Sequence, residues 1–244
     1  MIKLLALAII LVLVCGFSAA TQNYATDVFE TSAGTLKITF LGHASLMFTL
    51  GDKTIYADPV SEWADFSQFP KADLILLTHE HKDHMDTKAL DQLRTDKTVL
   101  VGPEGCAKEI KGMKIMHNGD KQAIQGMSVE AVPAYNIVHM RSPGQPFHPK
   151  GSGNGYVITF GDERVYVAGD TENIPEMQQL KAIDIAFLPM NLPYTMTPEM
   201  AADAAKSFGP KILYPYHYGN TDTARIVELL KGNKGIEVRI RKLN

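Results

Sequence analysis

The sequence predicts an α/β fold in which two β-sheets pack face to face with helices outside. Three observations predict it. Strand-like runs cluster at two places, and each cluster is followed by alternating strand and helix patterns. Hydrophobic residues make up 45% and charged residues 21%, a globular balance that excludes a disordered chain. The 244 residues fit one domain, because α/β units often run past ~200 residues. A face-to-face pair of sheets buries one side of each and leaves the outer sides to amphipathic helices.

The elements follow in order. Thr35–Phe40, Ser45–Leu50 and Thr54–Ala57 are β-branched and apolar, separated by turns at Gly42 and Gly51-Asp52. Asp73–Thr78 is a short apolar run feeding a polar loop. Thr87–Leu93 has a helical pattern, Thr98–Val101 is a strand and Glu104–Lys111 a short helix. Lys121–Ile124 and Ser128–Val132 are further strands. Residues 133–155 form a long stretch dense in Pro, Gly, His and Asn, and such connections are usually functional or disordered. Tyr156–Phe160 and Arg164–Ala168 flank a Gly161-Asp162 turn, and Ile183–Leu188 is the next strand. Thr197 before Pro198-Glu199 is an N-cap with Pro at the first helical position, opening a helix to about Phe208. Ile212–Tyr214, a helix over Thr221–Lys231 and a strand over Ile236–Ile240 close the chain.

The N-terminus has the pattern of an export signal. Lys3 precedes an unbroken apolar run, Leu4 to Val14, and small residues at Ser18 and Ala20 suit cleavage after Ala20. The expected organisation is a signal peptide over 1–20 and one domain over 21–244, in the periplasm or secreted. Two alternatives stand beside it. An uncleaved anchor is one, since the run through Ala20 reaches the lower edge of a membrane span. Lipidation at Cys15 is the other, although Val14 is larger than the residue that usually precedes such a cysteine. Membrane association is expected only through this segment.

The net charge of −3 lacks the basic footprint of a nucleic-acid binder. Cys15 and Cys106 are the only cysteines, which excludes a disulfide framework and a Cys-rich zinc site. Cys106 is expected to be a small buried thiol.

The strongest chemical signal is Thr78-His79-Glu80-His81-Lys82-Asp83-His84. Three imidazoles and a carboxylate follow an apolar strand, and these are donors that borderline divalent metals prefer. His79 and His81 point the same way on extended backbone. Asp83 and His84 can address a second ion nearby. A solvated loop with incidental histidines is the bland alternative, but His217 lies after another apolar strand in Pro215-Tyr216-His217-Tyr218.

At these residues the chain resembles the metallo-β-lactamase-fold hydrolases, whose H-x-H-x-D-H motif is matched by His79, His81, Asp83 and His84. Val167-Ala168-Gly169-Asp170-Thr171 is similar to the family's segment carrying a metal-bridging aspartate. Pro215-Tyr216-His217 is similar to the segment carrying its last histidine ligand. The resemblance implies a four-layer αβ/βα sandwich with metals at one edge of the sheets. Leu41-Gly42-His43-Ala44-Ser45, Asp58-Pro59 and Leu192–Thr197 resemble the branch containing ascorbate-6-phosphate lactonase and N-acyl-phosphatidylethanolamine phospholipase D.

By that resemblance His79, His81 and His148 would hold one divalent ion, Asp83, His84 and His217 the other, and Asp170 would bridge them. Zinc suits the histidines, and Mn or Fe suits the mixed donors nearly as well. The third ligand of the first ion stays open between His148, His139 and Asn136, with His148 preferred for its Phe147-His148-Pro149-Lys150-Gly151 context. Asp83, His217 and Asp58 are the catalytic candidates, Asp58 by holding a ligand imidazole. His43 would do likewise or touch substrate. Tyr194 and Tyr216 could donate to an oxyanion, although packing is the commoner role. Trp63, Phe66 and Phe69 form an aromatic cluster, again more often core than pocket wall.

The implied activity is that of an exported hydrolase acting on a small molecule. Water activated by the two ions would cleave an ester, lactone or phosphodiester bond. A metal-containing binding or sensing protein with little turnover is the alternative, resting on Asn136 at a ligand position. A non-haem iron oxidoreductase is a third reading, and the chain has no room for an added flavin domain.

Overall fold

A computed structural model describes residues 24–243. The predicted signal segment, with Cys15, lies outside the described residues. Among those described, no helix is long and apolar enough to cross a membrane.

Seven strands form the first sheet in chain order: β1 (Thr26–Thr31), β2 (Gly34–Gly42), β3 (Ser45–Leu50), β4 (Lys53–Ala57), β5 (Leu74–Leu76), β6 (Val99–Gly102) and β7 (Lys114–Ile115). The second sheet contains β8 (Lys121–Ile124), β9 (Met127–Ala134), β12 (Gly153–Phe160), β13 (Glu163–Val167), β14 (Ile185–Pro189), β15 (Ile212–Tyr216) and β16 (Glu237–Val238) in spatial order. Between β9 and β12 lies a two-stranded hairpin, β10 (Met140–Ser142) and β11 (Gln145–Pro146).

Both sheets are built alike. Each starts with antiparallel neighbours, β1 to β4 and β8 through β13, and ends in parallel ones, β4 to β7 and β13 to β16. Tight turns suffice for the antiparallel pairs. The parallel pairs need crossovers, four of which carry helices: α1 (Thr87–Leu93), α2 (Glu104–Glu109), α3 (Pro198–Phe208) and α4 (Ala224–Leu230).

Inward residues of the two sheets interdigitate: Ile38, Phe40, Leu46 and Phe48 of the first share one core with Val129, Ile158, Val165 and Phe187 of the second. Each such side chain contributes roughly 1.5–3 kcal/mol by leaving water. The outer face of the first sheet buries Tyr56, Ile75 and Leu77 with Leu90 and Leu93 of α1 and Cys106 of α2. Cys106 is buried and free, and burial pushes its thiol up. The outer face of the second sheet carries α3 through Ala201, Ala202, Ala204 and Ala205. Thr197 caps α3 by accepting from Met200 N, and Gly209 ends it at φ +61°.

The sequence expectations for β2 to β6 and α1 hold to within two residues. Three differ. The edge strand β1 went unread because its burial alternates between exposed and half-buried, so its Thr-Asp-Val-Phe-Glu-Thr sequence has no apolar run. The long 133–155 stretch is shorter than expected: β9 runs on to Ala134, β12 starts at Gly153, and the hairpin fills part of what remains. The closing strand shrinks to Glu237–Val238, and the last helix to Ala224–Leu230.

Candidate metal centre

The carboxyl ends of the parallel strands lie at one edge of the sandwich, where loops of both sheets meet. From the first sheet come Asp58 after β4 and residues 78–84 after β5. From the second come Asp170 after β13 and His217 after β15. Three of the five non-glycine residues with positive φ are here: His43 (53°), Asp58 (45°) and His217 (43°). Such backbone is strained and persists only where the surroundings over-determine it. Gly169 turns the chain at φ +66°, and a Cβ there would stand 2.9 Å from Asn154 O and 3.0 Å from Thr78 Cβ. Glycine is therefore required to bring Asp170 in. Tyr216 is not at the cleft; it is fully buried, and its hydroxyl accepts from Gly169 N at 2.8 Å.

The donor atoms fall into two sets. In the first, His81 Nδ1 is 3.0 Å from His79 Nε2 and 3.2 Å from His148 Nε2, and His148 Nε2 is 3.3 Å from Asp170 Oδ2. In the second, His84 Nε2 and His217 Nε2 stand 3.4 and 3.5 Å from Asp170 Oδ1, and 3.8 and 3.5 Å from Asp83 Oδ2. Donors around one tetrahedral zinc ion stand about 3.3 Å apart. Each set has that spacing, and Asp170 gives one oxygen to each.

Proton bookkeeping explains which nitrogens face the centre. Asp58 accepts from Thr78 N at 2.8 Å, from the Thr78 hydroxyl at 2.6 Å and from His84 Nδ1 at 2.7 Å. Having given its only proton to Asp58, the Thr78 hydroxyl accepts from His79 Nδ1 at 3.0 Å. Asn136 Oδ1 accepts from His148 N at 2.9 Å and from His148 Nδ1 at 2.7 Å. Thus His79, His84 and His148 each carry their proton on Nδ1 and aim an Nε2 lone pair at the centre. His84 Nε2, His217 Nε2 and Asp170 Oδ1 are buried and make no hydrogen bond. Buried polar atoms of that kind need a partner, and a divalent cation supplies one. The residues fit the metal group.

Burial pushes His79 well below its ordinary value and takes His148 down to about 4, so both are neutral donors. His84 differs: burial works against its charged form, but Asp170, Asp58 and Asp83 outweigh it and raise the imidazole to about 9, so its Nε2 holds a second proton that a divalent cation would displace. Burial opposes ionisation of Asp170 and Asp83 too. The imidazoles of His217 and His84 nevertheless hold Asp170 below the usual carboxylate range, and the imidazoles beside Asp83, His217 and His43 foremost, do so for that carboxylate.

The structure brings His79, His81, Asp83, His84, His148, Asp170 and His217 together. Asp58 lies behind the imidazoles, fully buried, and does not line the cleft. His139 faces away and contacts Glu172 through Nδ1 at 2.7 Å. Asn136 supports His148 through its side-chain oxygen. His43 is closer in than a supporting role requires: its Nε2 is 3.3 Å from Asp83 Oδ2, and it groups with Asp83, His84 and His217 as a possible donor. Trp63 stacks on His43 at 5.0 Å, while Phe66 is core. Tyr194 lines the cleft with Phe147.

Sequence reasoning missed Glu172. This carboxylate is fully buried and accepts from Asn136 Nδ2 (3.1 Å), Ile137 N (2.7 Å), Val138 N (2.6 Å) and His139 N (2.6 Å). It therefore pins the segment whose Asn136 holds His148. The available signal was an acidic residue two places after Asp170.

A profile of the Beta-lactamase superfamily domain family matches residues 37–217. A 220-residue match to a metal-dependent hydrolase from Pelotomaculum thermopropionicum is 30% identical and covers 84% of this chain and 96% of the relative. The chain belongs to this superfamily. A crystal structure from Parabacteroides distasonis, titled a metal-dependent hydrolase, is 50% identical with a TM-score of 0.87, covering 91% of this chain and all of that one. The metallo-β-lactamase fold protein YhfI from Bacillus subtilis is 16% identical with a TM-score of 0.68, covering 86% and 97%. The last likeness concerns the fold alone, and the two-sheet sandwich described above is that fold.

Proposed function

We propose that the chain is an exported metal-dependent hydrolase that holds two divalent ions, zinc by preference, and cleaves an ester, lactone or phosphodiester bond of a small molecule. One observation carries the reading: the two oxygens of Asp170 face two different sets of donors, at 3.3 Å from His148 Nε2 and at 3.4 and 3.5 Å from His84 and His217 Nε2. His79, His81 and His148 would hold one ion, Asp83, His84 and His217 the other, with Asp170 shared. When bound, such ions activate water and polarise a substrate oxygen.

The protein's own residues supply the rest. Asp58 and Asn136 fix the tautomers of His84 and His148. Asp83, half exposed at the cleft wall and held ionised, pairs with His43 Nε2 and fixes that imidazole beside the cleft. A cleft of about 390 Å³ opens over Asp83, Asp170 and His217, large enough for a small molecule.

Elemental analysis of purified protein tests the ion count. Two equivalents per chain are expected, and one or none after metal-replete purification overturns the dinuclear reading. Hydrolysis of bis(p-nitrophenyl) phosphate, p-nitrophenyl butyrate and γ-butyrolactone, lost on chelation and restored by metal, tests the activity. N-terminal sequencing of protein recovered outside the cytoplasm tests export, with Thr21 the expected first residue.

A further inference from the structure

We propose that Lys82 and Arg141 form an anion clamp at the cleft, so that the substrate carries a phosphoryl or carboxylate group at or beside the bond that breaks. The inference rests on the hydrolase reading of the cleft and adds a substrate class to it.

Three observations support the clamp. Both side chains are exposed and line the same cleft as Asp83 and His217. Lys82 sits between two proposed ligands, His81 and Asp83, and Arg141 lies on β10, in the segment between β9 and β12.

The second observation is their lack of carboxylate partners. Each of the other five arginines pairs with an acid: Arg94 with Asp91, Arg164 with Glu130, Arg225 with Glu199, Arg239 with Glu237 and Arg241 with Asp27. Among the described residues, Arg141 has no such pair, and neither has Lys82. Arg141 instead stacks over Phe147, its guanidinium carbon 5.8 Å from the ring centre. That contact orients the fork without neutralising it.

The third is the setting. The chain is net acidic at −3, so two unneutralised cations on one cleft stand against the background charge. A guanidinium fork matches phosphate and carboxylate oxygens in pairs, and an ammonium adds a mobile point charge. Phe147 and Tyr194, packed edge to face at 5.0 Å, wall the same cleft and would cover an apolar part of the ligand.

The test uses two matched pairs of probes with the metal-loaded full chain. One pair is bis(p-nitrophenyl) phosphate against its neutral diethyl p-nitrophenyl triester. The other is γ-butyrolactone against the same ring bearing a carboxylate. Wild type should prefer the charged member of at least one pair, and which pair shows it tells phosphoryl from carboxylate. In Lys82→Met/Arg141→Ala the preference should fall by roughly 10- to 100-fold, mainly through KM, and in wild type it should shrink at about 1 M salt. Charged and neutral members falling in step, or a preference that survives Arg141→Glu, would overturn the clamp. If wild type turns over no probe, the hydrolase reading fails separately. Calorimetric binding of phenylphosphonate then decides the clamp: loss in the double variant supports it, and undiminished binding overturns it.

Discussion

The two donor sets of this site are held in different ways. Asp83 and His84 close the loop after β5 and His217 follows β15 directly, braced by the fully buried Asp58 and by strained backbone at His43 and His217. His79 and His81 share that rigid base, but His148 comes from the segment between β9 and β12. Its place depends on a relay, from the backbone of residues 137–139 to Glu172, to Asn136, to His148. One ion site is thus built into the sheets, and the other is completed by a tethered loop. Ligands on sheet ends are positioned by the core, whereas a loop ligand is only as well placed as its hydrogen bonds.

The largest effect should come from removing what the two sets share. Asp170→Ala takes an oxygen from each, so elemental analysis should fall from about two equivalents toward none. Turnover should drop by more than the roughly 10- to 100-fold that outer hydrogen-bond partners cost. Retention of two ions would show that the sets do not share this carboxylate. His148→Ala comes next and should separate the sets, leaving about one equivalent, since Asp83, His84 and His217 keep their own support. Loss of both ions would mean the loop site also holds the strand-end site together.

How far the sequence could have given this contrast depends on where each donor lies. His79, His81, Asp83 and His84 fall within six positions of one segment after an apolar strand, so residue type and spacing were enough. His217 was legible for a similar reason, closing an apolar run, whereas Asp170 was legible only through the resemblance of its segment to the family's. The same clustering of strands before αβ units exposed the architecture of both sheets. His148 was preferred only for the context of residues 147–151 and stayed open against His139 and Asn136; the choice is made by Asn136, 12 residues earlier, and by Glu172, which is 33 residues beyond His139. Neither contact has a sequence period. The strand β1 escaped for another reason: it is an edge whose apolar Val28 is exposed and whose Asp27 pairs with Arg241 at the far end of the chain.

Middle-sized effects should follow the supports. Asp58→Asn and Asn136→Ala should each weaken metal affinity by roughly 10- to 100-fold, Asn136→Ala at the loop-completed ion and Asp58→Asn at both, because Asp58 holds His84 directly and His79 through Thr78; competitive chelation of one equivalent at a time can show this. Asn136→Ala placed on His148→Ala should add little, because the relay then has nothing left to orient. Full additivity would mean Asn136 acts on something other than His148. Glu172→Gln keeps the shape of the relay and removes its charge. Several charge-assisted hydrogen bonds weaken at once, so denaturant unfolding should show about 2 kcal/mol lost, with metal loss confined to the loop-completed set.

The smallest effect should come from His139→Ala, and it is informative because His139 and His148 looked alike in sequence. His139 belongs to the same loop, but its ring is partly exposed and its single contact is Nδ1 with Glu172 Oε1 at 2.7 Å. The backbone N–H of residue 139 also reaches Glu172, and that bond survives the substitution. The carboxylate keeps Ile137 N, Val138 N and Asn136 Nδ2 as well, so Asn136 stays oriented and His148 with it. Stability should change by under about 1 kcal/mol, the range of partly exposed pairs, and metal content should stay at about two equivalents. Loss of an equivalent would place His139 at the ion and require the loop to rearrange, which would break the contrast between a built-in site and a tethered one.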